Sequence, residues 1–289
     1  MLTLFTDTDA DFTPKVAAEY GYKLISMPFS IDGKTTYPYE EEETFDFKSY
    51  YDLLRSGVIP TTSALSEQSY LKYFEPEFAA GNDIFYVHIS GTMTASIAVM
   101  RQAVEKLKAK YPERKFYALD TYGITIISYL IAREVGDLFN AGKTPEEVME
   151  WGKKEVPHFA QYFFADDLKF FRRSGRVSGL AATMGGLIGI RPIIYMNEEG
   201  KMLSIAKETG RVKAVEHLVN KVAELGDDLQ HHRIIIGHTD AGEIAKQVEN
   251  RLRERLGADL NIETVMTNPT AGAHCGPNGV GVAFHAIHK

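Results

Sequence analysis

Apolar and polar positions alternate in blocks along the first half of the chain, and the blocks read as strand, loop, helix. Leu2 to Phe5 is a short apolar strand ending in polar Thr6-Asp7. A polar turn, Thr8 to Thr13, leads to Pro14, a residue suited to the first turn of a helix. Tyr22 to Ile31 reads as one strand, closed by the hairpin signal Asp32-Gly33. Phe47 to Arg55 has helical spacing and is stopped by Gly57 and Pro60. The loop Pro60 to Ser66 opens a helix towards Phe78, and Asp83 to Ile89 is a buried strand. Ser90 to Ala95 is a loop before a helix reaching about Tyr111. Lys115 to Leu119 is a strand, and Ile124 to Ala141 a long, mostly apolar helix. Thr144-Pro145-Glu146-Glu147 combines a capping box with proline at the first helical position. Repeated strand–loop–helix units predict a parallel α/β sheet.

The pattern changes near Val156. Phe159 to Phe164 has strand character. The apolar run Ile188 to Ile194 leads into Pro192 to Met196, which with Met202 to Ala206 flanks Asn197-Glu198-Glu199-Gly200 as an antiparallel hairpin. A helix over Val212 to Leu225, a strand over Arg233 to Gly237 and a helix over Ala241 to Leu256 follow. Asn261 to Met266 and Gly281 to Ile287 close the chain as strands. The reading is an α/β fold of two domains: an N-terminal parallel-sheet domain, residues 1–156, and a C-terminal domain with a mixed sheet, residues 157–289. A length of 289 residues, above the usual single core of about 250, agrees with two domains.

Composition narrows the function classes. The chain is 44% apolar and 25% charged, ordinary for a globular protein. A net charge of −7 without a basic block argues against nucleic acid and against more than transient contact with a membrane. No apolar run nears the ~18 residues of a membrane helix. The first residues carry no basic segment and turn acidic at once, unlike a secretory signal. Cys275 is the single cysteine, so no internal disulfide forms. The expected location is the cytoplasm.

Several clusters carry candidate chemistry. Thr61-Thr62-Ser63 and Ser90-Gly91-Thr92-Met93-Thr94 are hydroxyl-rich loops beside predicted helix starts. Capping alone explains them, since serine and threonine favour that position. Yet the second loop follows a strand of an open α/β sheet, where ligands bind, and free N–H groups with hydroxyls suit a carboxylate or phosphate. Leu168 to Tyr195 sets aromatic and basic residues (Phe170, Phe171, Arg172, Arg173, Arg176) before small ones (Ser178, Gly179, Gly185, Gly186, Gly189) and an apolar run. The bland reading is an arginine-rich surface turn before a buried strand. Alternatively, fixed positive charge beside a close backbone approach and an apolar wall suits an amphiphile with an acidic head.

Asp7-Thr8-Asp9 after the first strand has the spacing of a phosphoryl-transfer pair, with Asp166-Asp167 as magnesium ligands, but no Gly-Asp-x-x-x-Asp follows. Turn formation or capping is the simpler account of both aspartates. Gly276 to Gly281 is glycine-rich without Gly-x-Gly-x-x-Gly, so no nucleotide fingerprint is present; it would instead allow a ligand close to the backbone near His274. Cys275 beside His274 is not read as a nucleophile pair, because neighbours in a strand point to opposite faces. The nine histidines show no metal-ligand spacing, and no metal or cofactor is expected.

The central stretch resembles the DegV family, in which a Leu-x-Tyr-Leu-Lys-Lys-Gly-Gly-Arg-Ile-Ser block precedes Gly-x-x-Leu-x-Ile-Lys-Pro-Ile. The matching residues are Leu168, Phe170, Phe171, Arg172, Arg173, Gly175, Arg176, Val177 and Ser178, then Gly186, Ile190, Arg191, Pro192 and Ile193. The Arg-x-x-Lys-Ala pattern appears as Arg211, Lys213 and Ala214, and the His-x-Gly-Pro block as His274, Cys275, Gly276 and Pro277. The likeness runs from Thr6-Asp7 to the last residues. It implies a lipid-binding protein with a long-chain fatty acid in an apolar tunnel near the domain interface. Burying about 14 methylenes at ~0.8 kcal/mol each gives a gross ~11 kcal/mol before binding costs. The family's Thr-Ser-Gln-Pro-Ser loop matches Thr62, Ser63 and Ser66, with Ala64 and Leu65 in place of Gln-Pro. Its second hydroxyl loop, Ser-Ser-x-x-Ser-Gly-Thr, aligns in either of two registers: starting at Ile89-Ser90, with the second serine on Thr94, or through Ser90-Gly91-Thr92, which needs a gap. The family's arginine and histidine near the acid head group fall on Arg176 and His274.

The implied role is that of a non-catalytic subunit presenting the carboxylate to a separate fatty acid kinase, with Arg172, Arg173 and Arg176 as a docking patch. A lipid-sensing module without a kinase partner and a magnesium-dependent phosphotransferase are the alternatives.

Overall fold

The structure, a computed structural model, describes residues 1–166, 168–178 and 189–289. Asp167, Gly179, Gly185, Gly186 and Ile188, singled out above, lie outside the described residues.

The first half forms β1 (Leu2–Asp7), α1 (Pro14–Tyr20), β2 (Tyr22–Ile25), β3 (Phe29–Ile31), β4 (Lys34–Thr36), α2 (Phe47–Arg55), β5 (Thr61–Thr62), α3 (Glu67–Ala79), β6 (Asp83–His88), α4 (Ser96–Lys110), β7 (Phe116–Asp120), α5 (Ile126–Asn140) and α6 (Pro145–Glu155). Four of these strands make a wholly parallel sheet in the order β2-β1-β6-β7. The predicted punctuation holds: Thr13 caps α1 ahead of Pro14, and Thr144 with Glu147 completes the capping box of α6.

The single strand expected over Tyr22 to Ile31 is two strands in different sheets. The Ser26 N–H donates to the Tyr73 hydroxyl (3.2 Å), the Met27 N–H donates to Thr8 Oγ1 (2.9 Å), and Pro28 has no N–H to offer. The backbone therefore leaves the parallel sheet, and β3 joins a small antiparallel sheet, β4-β3-β5. Asp32 and Gly33, at φ 50° and 79°, form the hairpin turn the sequence signals.

The chain then passes through the turn Val156–His158 into β8 (Phe159–Phe164), α7 (Leu168–Ser174), β9 (Val177–Ser178), β10 (Ile190–Met196), β11 (Met202–Thr209), α8 (Arg211–Leu225), β12 (Ile234–His238), α9 (Gly242–Leu256), β13 (Ile262–Met266), α10 (Pro269–Cys275) and β14 (Val280–His285). The second sheet is mixed, as expected, with the order β13-β12-β14-β8-β10-β11-β9. Leu168 to Arg173 is helical rather than a surface turn. Its apolar face buries Phe170 and Phe171, while Arg172 and Arg173 stay exposed.

α5 lies between the sheets. Ile126 to Ala132 are all buried, so the helix has no solvent face along this run. It shares one apolar cluster with Leu4, Phe85 and Val87 of the first sheet and Ile235 and Ala283 of the second. Among the described residues, no helix is long and apolar enough to cross a membrane.

Candidate functional site

A cavity of about 130 Å³ opens beyond the carboxyl ends of β1 and β6, where the two sheets face each other. Open α/β sheets place ligands at this position. Its apolar wall includes Met27, Ile89, Met93, Ile124, Phe171 and Met202. A smaller cavity of about 30 Å³ shares Ile124, Thr125 and Cys275 with it and continues along Phe163 and Val280.

The polar side is assembled from distant segments. Thr62 stands on edge strand β5, whose backbone pairs with Phe29 of β3. Its Oγ1 lies 3.0 Å from Nε2 of His274 on α10. Asn268 caps α10 by accepting from the Ala271 N–H (2.8 Å) and, through its own N–H (2.8 Å) and Nδ2 (2.7 Å), donates to Asp11 Oδ1. The hydroxyls of Tyr50 and Tyr51 on α2 donate to the Pro269 and Thr267 carbonyls at 2.6 and 3.0 Å, holding the approach to α10. A Cβ on Gly272 would fall 2.7 Å from the Tyr51 hydroxyl, so this packing requires glycine. Gly175, at φ 64°, turns the chain out of α7, and Arg176 Nη1 donates to the Ser174 carbonyl (2.6 Å) with its guanidinium at the cavity rim.

Burial, assisted by the Arg176 charge, pushes His274 down to about 4. At neutral pH the ring is uncharged, one nitrogen donating and the other accepting, and Arg176 is the fixed cation of the rim. Burial pushes the Cys275 thiol up to about 12, so it is not a nucleophile at neutral pH.

The structure brings Thr62, Ser63, Thr94, Arg176 and His274 to this cavity. Thr94 Oγ1 also accepts from the Ser96 N–H (3.1 Å), so part of its capacity serves the start of α4. Ser90 is not among the residues lining this cavity. It is fully buried, and its hydroxyl donates to the Gly200 carbonyl (2.9 Å) in the turn between β10 and β11. A Cβ on Gly200 would come within 2.2 Å of Ser90 Oγ, so glycine is what lets this turn close down on β6's loop. Arg172 and Arg173 sit on the exposed face of α7, away from the wall that Phe171 supplies.

Two further expectations are corrected. His274 and Cys275 are consecutive in a helix rather than a strand, and both line the cavity. The glycines after them are closely packed, since a Cβ on Gly276 would meet Phe170 at 2.3 Å and one on Gly281 would meet Phe163 at 2.7 Å, and Gly279 and Gly281 also line the smaller cavity. Asp166 accepts from Arg191 Nε (2.5 Å) and from Arg211. Burial opposes its ionisation, but these arginines outweigh that and hold it below the usual carboxylate range. Its partner in the imagined magnesium pair, Asp167, lies outside the described residues.

Asp7 caps the turn after β1 by accepting from the Ala10 N–H (3.1 Å) and also accepts from the Tyr86 hydroxyl (2.7 Å). Burial, reinforced by Asp9, pushes it up to about 8. A carboxyl protonated at neutral pH is a poor nucleophile for phosphoryl transfer. Burial likewise pushes Asp11 up to about 7 and Asp9 up to about 6. Asp9, Thr125, Asn268 and Thr270 are cavity residues the sequence reading missed. The usable signal was Asn268-Pro269, an N-cap followed by proline at the first helical position.

This geometry defines a class: a two-sheet α/β protein with a cavity that is hydroxylic and cationic at its mouth and apolar within. A model of the DegV family, described as uncharacterised protein, matches residues 1–286, and the chain belongs to that family. A DegV domain-containing protein of Clostridium perfringens is 26% identical over 282 residues, 97% of this chain and 96% of the relative. A DegV family protein from Thermus thermophilus, described for its fatty acid binding, has the same fold with a TM-score of 0.86 at 18% identity, covering 99% of both chains. The fatty acid kinase B3 protein of Streptococcus pneumoniae, loaded with linoleic acid, gives a TM-score of 0.84 at 19% identity, again over 99% of both.

Proposed function

We propose that this protein binds a long-chain fatty acid between its two sheets and presents the carboxylate at the rim formed by Thr62, Ser63, Thr94, Arg176 and His274. The observation that carries the reading is the Thr62–His274 pair at the mouth of an apolar cavity, with Arg176 as its cation. A carboxylate accepts from hydroxyl, imidazole and guanidinium donors together, and the apolar wall supplies the larger share of affinity. The smaller adjoining cavity gives the alkyl tail a direction, along Ile124 towards Phe163. The change of sheet after Val156 supports dividing the chain into domains at 1–156 and 157–289, with the ligand at their seam.

The chain is then a carrier subunit without catalysis of its own. A separate fatty acid kinase would phosphorylate the carboxylate, and the exposed Arg172 and Arg173, with Arg176, would receive an acidic surface of that kinase. Likeness to the pneumococcal kinase protein supports this partner. Mass spectrometry of an organic extract of the purified protein tests the first step: co-purified fatty acid is expected, and an extract without any acyl ligand, together with no uptake of added fatty acid, rejects it. Addition of the kinase and ATP tests the second. Failure to form acyl phosphate from the loaded protein would leave a lipid-sensing module instead.

A further inference from the structure

Half of the large apolar side chains around the cavity are methionines: Met27, Met93 and Met202, beside Ile89, Ile124 and Phe171. The chain has nine methionines in 289 residues, so their gathering at one wall is more than background composition. They come from three separate places: Met27 from the link between β2 and β3, Met93 from the loop after β6, and Met202 from the first position of β11. The backbone of each is pinned. The Met27 N–H donates to Thr8 Oγ1 (2.9 Å), the Met93 N–H donates to the Ser90 carbonyl (3.0 Å), and Met202 pairs with Val177 on one side and Met196 on the other. A fixed frame therefore carries three unbranched side chains, each with three rotatable bonds and a polarisable sulfur.

A saturated chain and a cis-unsaturated chain of equal length bury similar areas but follow different paths. A wall of β-branched or aromatic side chains fits one path and leaves voids along the other, and each void forfeits contacts. Methionine closes such gaps by turning about its unbranched stem, with little strain. The head of the ligand meets the opposite situation, since Thr62 is paired with His274 and Arg176 with the Ser174 carbonyl. We propose that this site is strict for the carboxylate and permissive for the tail. Met27, Met93 and Met202 repack around straight and cis-bent acyl chains, so saturated, monounsaturated and polyunsaturated long-chain acids are all ligands. The inference rests on the fatty-acid reading above and adds the breadth of its ligand class.

The test is calorimetric titration of the delipidated full-length protein with stearate, oleate and linoleate, which share one chain length. Wild-type affinities should agree within about threefold. Met27→Leu with Met93→Leu and Met202→Leu keeps volume and apolarity but shortens the flexible stems, and should spread the three affinities to about tenfold or more. A second measurement holds where that variant misfolds. With isotope-labelled methionine methyl groups, the nuclear magnetic resonance signals of Met27, Met93 and Met202 should take different positions in the stearate and linoleate complexes. Those of Met100 on α4 and Met149 on α6, which do not line the cavity, should stay in place. A wild-type preference of about tenfold or more for one acid, breadth that survives the triple variant, or cavity methyl signals that coincide in the two complexes overturns the proposal and leaves fatty acid binding intact. Binding of none of the three acids removes both.

Discussion

The Thr62 hydroxyl and His274 Nε2 meet at 3.0 Å across 212 residues of sequence. A two-residue edge strand holds one partner and a seven-residue helix the other. Thr62→Val removes the hydroxyl with little change of volume, leaving the imidazole without this contact and a bound carboxylate without this donor. Fatty acid affinity should fall about tenfold, the loss of one polar contact, ~1.4 kcal/mol. Titration with palmitate measures it, and an unchanged affinity would place the head group elsewhere.

Ser90→Ala should behave differently. Its hydroxyl joins the loop after β6 to the Gly200 carbonyl, so the expected effect is a loss of about 1–2 kcal/mol of stability. Fatty acid affinity should drop less than in Thr62→Val. Gly200→Ala should be worse, because φ is 73° and the added methyl would lie 2.2 Å from Ser90 Oγ. Denaturant unfolding of both variants, alongside titration, separates a structural serine from a ligand-binding one.

Two buried carboxyls, Asp7 and Asp11, and the partly buried Asp9 give the protein an unusual pH profile. Asp7, Asp9 and Asp11 are raised by burial to about 8, 6 and 7, from 3.8 in the unfolded chain. Between these limits the folded state holds more protons than the unfolded one, so stability is greatest on the acid side and declines as pH rises through the folded values. His274 acts oppositely: lowered to about 4, it withdraws stability as pH falls below 6.5. Burial lowers His88 and His238 as well, so three imidazoles offset the three carboxyls below pH 6.5, and the melting temperature should fall from about pH 6.5 to pH 8, where Asp7 and Asp11 are still losing their protons. Asp7→Asn should flatten the upper part of that decline. A melting temperature that climbs over the same range would contradict the burial of these groups.

Asp166 gathers Arg191 and Arg211, which sit in two separate blocks of the family resemblance. The side chains of Asp166 and Arg191 are only 12% and 14% exposed, so Asp166→Ala leaves a nearly buried guanidinium without its carboxylate, though Nη1 still donates to the Gly189 carbonyl. The expected cost is about 2–3 kcal/mol, between a surface pair and a fully buried one. Urea unfolding of the variant checks the figure, and loss of less than about 0.5 kcal/mol would mark the pair as a surface one.

Arg172→Glu with Arg173→Glu reverses charge on the exposed face of α7. These side chains do not line the cavity, so the protein should keep its fatty acid and its melting temperature. Acyl phosphate formation with a cognate kinase should fall by about tenfold or more as the encounter loses its electrostatic steering. Unimpaired phosphorylation would remove α7 as the docking face.

The parallel half was legible because each strand is a short apolar run followed by caps and helix starts with local signatures. β5 was not legible, since two residues carry no periodicity and Thr62 owes its strand to pairing with Phe29. The break at Ser26 to Pro28 was missed for a similar reason: the groups that draw the backbone away, Thr8 and Tyr73, are distant in sequence. Thr62 and His274 were named from resemblance, because nothing local to either points to the other. Asp9 was read as a turn residue, which its neighbours support; its place on a cavity wall depends on how α10 folds across it.

The apolar helix enclosed by both sheets has a mechanical consequence. Either half, cut away after residue 156, would leave one flank of α5 or its counterpart sheet wet, so neither piece should survive alone. Heating should yield a single calorimetric peak, and any loosening that widens the ligand's path must be shared across the whole molecule.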